Sequence, residues 1–104
     1  MDDLMQLGGN ISLAGFKDLD PAKMVVIKKI TGNYVKKMQE KTSKFESLSL
    51  HLKPVHSSKY ELQAKAIVNG QPYNAEITDF NLFFVLDKAL AKILEEISKL
   101  LSGN

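Results

Sequence analysis

The chain has 104 residues, enough for one domain with a real core and too few for two. Hydrophobic residues make up 44% and charged residues 25%, an ordinary globular composition, and no apolar run reaches the length of a membrane span. The net charge of +2 comes from lysine alone, without arginine, and the absence of cysteine excludes disulfide and thiolate chemistry.

Residues 1–9 read as a flexible leader ending in Gly8-Gly9, ahead of a single domain over residues 10–102. The opening Met1–Leu7 is acidic and lacks an apolar signal core, so a cytoplasmic location is expected. Asn10 to Phe16 reads as a first strand, with Ile11 and Leu13 on one face. Asp20-Pro21 then supplies an N-cap and a first helical proline, and the helix is expected to end near Lys41–Ser43. Met24, Ile27, Thr31, Tyr34, Val35 and Met38 share its apolar side, while Lys28, Lys29, Gly32, Lys36 and Gln39 lie opposite. Gly32 is an anomaly, since glycine costs about 1 kcal/mol relative to alanine inside a helix.

Phe45 to Val55 alternates almost perfectly, with Leu48, Leu50 and Leu52 inward, and Pro54 marks its end or a bulge. Asn69-Gly70 between two alternating runs is a hairpin turn, because both residues tolerate positive φ. Setting Val68 opposite Gln71 pairs Ala66 with Tyr73, Ala64 with Ala75 and Leu62 with Ile77 on an apolar face. The polar face then pairs Ile67 with Pro72, Lys65 with Asn74, Gln63 with Glu76 and Glu61 with Thr78. Even-numbered residues point inward on both sides of the preceding loop, which requires an odd residue count there unless a bulge intervenes. Asp79-Phe80-Asn81 offers caps for a last helix reaching about Leu101, with Gly103 as its C-cap. Its stripe is Leu82, Leu86, Ala89, Leu90, Ile93, Ile97 and Leu100. The order is β-α-β-β-β-α: a two-layer α+β domain with a four-stranded sheet and both helices on one face.

Chemistry is harder to place. His51 and His56 have no metal-ligand spacing and no cysteine to join them, Gly8-Gly9 and Gly15 form no phosphate loop, and no catalytic triad stands out. A non-enzymatic protein without metal or cofactor is therefore expected. Phe83 sits at the edge of the buried stripe, whereas Phe84 projects away from it and is either an exposed contact or packed on the first helix. The strongest feature is charge: residues 17–44 carry eight lysines against three acids. A mobile ammonium suits backbone phosphate better than base edges, so RNA contact would be sequence-tolerant. The bland reading of the same run is a solvated helix face.

Two segments carry a family likeness. Ile11-Ser12-Leu13-Ala14-Gly15 followed by Leu19-Asp20-Pro21 resembles the opening of the ribosome hibernation-promoting factors, the ribosome-associated inhibitor family. Ala75, Asn81, Leu86-Asp87 and Lys92-Ile93 look like that family's last strand and helix, and the order of elements is similar over nearly the whole domain. The resemblance implies a non-enzymatic protein that sits in the decoding channel of the small ribosomal subunit and blocks mRNA and tRNA. Contacts there are mainly basic side chains on RNA backbone. By position, Lys92 matches a basic site of the last helix, and Lys36 and Lys37 fall in the lysine-bearing part of the first. Glu95 departs from the pattern, standing where the family often has arginine.

Two expectations follow. The first is a ribosome- or RNA-associated regulatory domain binding through Lys28, Lys29, Lys36, Lys37 and Lys92, acting by occlusion. The second is a protein-interaction or homodimerisation module using the polar sheet face or the last helix, where Glu61, Glu76, Glu95 and Glu96 dilute the positive charge.

Overall fold

A computed structural model describes residues 4–102, with side chains up to residue 99. The elements are β1 (Met5–Leu7), β2 (Ile11–Ala14), α1 (Pro21–Lys41), β3 (Phe45–Val55), β4 (Lys59–Val68), β5 (Gln71–Asp79) and α2 (Leu82–Ser102). They build an α+β domain whose sheet has five strands in the order β1-β2-β3-β4-β5. The expected count of four is corrected by β1, which pairs antiparallel with β2 through Met5↔Leu13, Gln6↔Ser12 and Leu7↔Ile11. Three residues show too little alternation to announce a strand; pairing to β2 supplies what their own pattern lacks.

β2 and β3 run parallel, joined by α1 as the crossover that parallel strands require. Gly15 makes the exit from β2 possible. Its φ is +86°, and a Cβ there would collide with the Leu52 carbonyl oxygen of β3. The Asp20 carboxylate then accepts the Ala22 N–H at 3.0 Å and starts α1. Thr42 ends it in extended conformation, its N–H donating to the Met38 carbonyl.

The β4–β5 register matches the sequence expectation at every pair, from Val68↔Gln71 to Glu61↔Thr78. Asn69 and Gly70 take φ of 53° and 77°, the signs a tight hairpin turn needs. The β3–β4 connection is the three-residue turn His56–Ser58, with Ser57 and Ser58 at positive φ of 67° and 62°, an odd count as parity demands. Pro54 pairs with Tyr60 and does not interrupt the ladder; the bulge falls at the other end of β3, between Phe45 and Ser47. The extra residue there is Glu46, whose carboxylate accepts the Gly70 N–H at 2.8 Å and so ties the bulge to the hairpin turn.

α2 lies over β4 and β5, and α1 packs against α2 and reaches β3. One core results, in which Leu13, Leu48, Leu50, Leu62 and Ala66 of the sheet meet Ile27 and Met38 of α1 and Val85, Leu86, Leu90 and Ile93 of α2. Each of these side chains larger than alanine contributes about 1.5–3 kcal/mol by leaving water. The predicted stripes are correct in both helices wherever side chains are described. Val85 was absent from the expected α2 stripe yet is fully buried, and Phe16 is buried just past β2. Leu100 and Gly103 lie outside the residues described at that level.

Candidate nucleic-acid interface

The face of α1 turned away from the core carries Lys28, Lys29, Lys36 and Lys37, all exposed. At roughly 100° per residue, Lys29 and Lys36 lie within about 20° of each other on the outermost ridge. Lys28 and Lys37 fall on opposite flanks, about 180° apart by the same arithmetic. The four therefore form a crest with two shoulders rather than one flat patch. Gly32 sits among Lys28, Lys29 and Lys36 at helical neighbour spacing, and a Cβ there would touch nothing within 4 Å. Close packing is thus not what the glycine provides.

Charge on the crest is unquenched. Among the described residues the one close ion pair is Lys99–Glu95, at 3.7 Å on α2. Glu40, four residues after Lys36 on α1, does not draw an ammonium into direct contact. Lys37 places its Nζ 5.2 Å from the centre of the Tyr34 ring. Tyr34 in turn donates to Asp87 Oδ1 at 2.8 Å, which fastens α1 to α2 along the crest's inner edge. Partial burial, reinforced by that carboxylate, pushes the Tyr34 phenol up to about 12.

Lys92 stands apart from these four. It is exposed on the side of α2 that faces β5, bordering the groove with Ile77, Glu95 and Glu96. It also borders the concave outer face of the sheet, a depression of about 740 Å³. That face is built in rows by strand register: Ser12–Ser49–Lys65–Asn74, then Ala14–His51–Gln63–Glu76, then Lys53–Glu61–Thr78. Its charges compensate one another. Gln63 Nε2 donates to Glu61 Oε2 at 3.2 Å and to Glu76 Oε2 at 3.4 Å. Glu61 is held below the usual carboxylate range, first through its side-chain contact with Glu76, then by Gln63, Lys53 and His51.

Two aromatic rings were only partly legible in the sequence. Phe84 is 45% exposed and Phe80 60% exposed, with Lys88 Nζ 5.7 Å and Lys59 Nζ 5.2 Å from their respective ring centres. Phe83, by contrast, packs against the core as its place beside the stripe implied. No group of three or more potential metal ligands occurs among the described residues, and no helix there is long and apolar enough to cross a membrane.

No protein-family model matches the chain, and no curated protein sequence matches it. Solved structures do. The N-terminal domain of protein Y from Thermus thermophilus superposes with a TM-score of 0.66 at 13% identity, covering 92% of this chain and 99% of that one. A ribosomal subunit interface protein from Coxiella burnetii gives 0.62 at 14% identity, covering 89% and 96%. These likenesses agree with the resemblance read from the sequence, and at this identity they establish that the chain shares, over almost its full length, the fold of those two proteins.

Proposed function

We propose that the chain is a non-enzymatic, cytoplasmic factor that associates with ribosomes or structured RNA through phosphate contacts from α1. The observation that carries this reading is the unquenched crest of Lys28, Lys29, Lys36 and Lys37. It is supported by a fold shared with a protein described as a ribosomal subunit interface protein. Lysines attract polyanions by counterion release, without reading sequence. A compact body held on ribosomal RNA by that attraction would act by occlusion, as hibernation factors do. Lys92, on the far side of α2, would make a separate contact. The compensated outer sheet face adds little to phosphate attraction, and Glu61 and Glu76 oppose it.

Ribosome co-sedimentation at low salt tests the proposal. The protein is expected to pellet with ribosomes and to be released as salt rises; absence from the pellet at low salt overturns it. A second reading, homodimerisation through the concave outer face, is favoured by the internal pairing of Gln63 with Glu61 and Glu76. Light scattering over a dilution series separates the two, because a dimer stable to dilution that leaves the α1 crest unbound by RNA would support the second.

A further inference from the structure

The rings of Phe80 and Phe84 have no structural task that accounts for their exposure. Phe80 stands just before the N-cap Asn81, where an apolar side chain ordinarily packs back on the fourth helical residue. That residue, Val85, is fully buried, yet Phe80 stays 60% exposed. Phe84 is 45% exposed, and its N–H donates to Asn81 Oδ1 at 3.0 Å. Single exposed apolar residues are commonplace. Here two rings flank one helix start, and each has a lysine ammonium over it, Lys59 at Phe80 and Lys88 at Phe84, so a stacked base takes the opposite face or displaces the ammonium. The nearby carboxylates are already engaged. Asp87 accepts the Tyr34 hydroxyl, and Asp79 accepts the Asn81 N–H at 3.0 Å.

We infer that Phe80 and Phe84 are stacking platforms for unpaired bases of a single-stranded RNA segment, with Lys59 and Lys88 meeting the adjoining phosphates. An aromatic surface next to a cation matches the alternation of base and phosphate along a strand. A duplex offers no free base face and would contact only the ammonium groups. The inference rests on the RNA-binding reading above and adds the strandedness of the ligand.

Fluorescence anisotropy with labelled decaadenylate RNA and an RNA duplex of equal length tests it. The unmodified protein should prefer the single strand. Phe80→Ala and Phe84→Ala should each weaken strand binding roughly five- to tenfold. Duplex binding and the salt slope should stay unchanged, because no charge is removed. Phe84→Trp should keep the parent's strand affinity and Phe84→Leu should weaken it as much as Phe84→Ala does, which separates stacking from apolar area. Both rings are exposed, so circular dichroism of these variants should match the parent. If neither alanine variant weakens strand binding while glutamine at the α1 lysines does, the stacking assignment fails and the backbone reading survives. If the unmodified protein binds neither RNA, both fail. A dimer that dissociates on Phe84→Ala with RNA binding intact would assign the rings to protein contact and overturn the inference.

Discussion

α1 and α2 have the same length, 21 residues, and cover the same face of one sheet, yet their sequences serve different ends. α2 buries Leu82, Val85, Leu86, Ala89, Leu90, Ile93 and Ile97, an unbroken aliphatic stripe over β4 and β5. α1 buries fewer residues, and one is Thr31, whose Oγ1 has no hydrogen-bond partner. It also keeps a glycine at position 32 in open space. Each choice costs stability that α2 does not forgo. The contrast teaches that α2 organises the core, while α1 contributes a smaller buried stripe and a lysine-rich outer side.

The largest expected effect falls on α2. Leu90→Ala should destabilise the domain by about 2–5 kcal/mol in urea unfolding, because a fully buried aliphatic leaves a cavity. Val25→Ala on the α1 ridge, where the side chain is 66% exposed, should change stability by less than about 0.5 kcal/mol. Similar losses at both sites would erase the distinction between the helices.

Next comes the fastening between them. Tyr34→Phe removes the hydrogen bond to Asp87 and should cost about 0.5–1 kcal/mol, a modest value because solvent reaches the pair. Folding raises the Tyr34 phenol from 10.0 to about 12, so the neutral form is the one favoured in the native state. Its contribution is complete below about pH 10 and is lost as pH climbs toward 12. Unfolding midpoints measured between those limits should therefore converge for the parent and the Phe variant. Parallel curves would show that the phenol is not linked to folding.

Of similar or smaller size, and opposite in sign, is Gly32→Ala. It should stabilise the fold by about 0.5–1 kcal/mol, since the helix gains propensity and the new methyl meets nothing. A lower urea midpoint would mean that α1 needs glycine for packing after all.

Much of this division was legible beforehand. The Asn69-Gly70 turn set the β4–β5 register, and parity required an odd residue count in the β3–β4 turn, because a one-residue slip would turn the apolar set outward. The Asp20-Pro21 start and the α1 stripe followed from local chemistry alone. β1 escaped because a three-residue strand has no periodicity of its own, and the Glu46 bulge because its cause is a hydrogen bond to a turn distant in sequence. That Lys28, Lys29, Lys36 and Lys37 share α1 was recognisable, though not as one face, since Lys28 and Lys37 lie about 180° apart. Their separation from Lys92 was not, since it depends on which side of α2 packs toward α1. The exposure of Phe80 was hidden for a like reason: a staple and a free ring have the same sequence.

The crest remains the part on which the functional account turns, and its geometry ranks the lysines. Glutamine at Lys29 and Lys36 together, measured by ribosome co-sedimentation across a salt series, is the most direct test. Pelleting should weaken and the salt slope should fall by about 0.7–0.9 for each phosphate no longer neutralised, with a smaller change for the Lys28 and Lys37 pair on the shoulders. Pelleting and slope that match the unmodified protein after both ridge lysines are replaced would contradict the crest's role in binding.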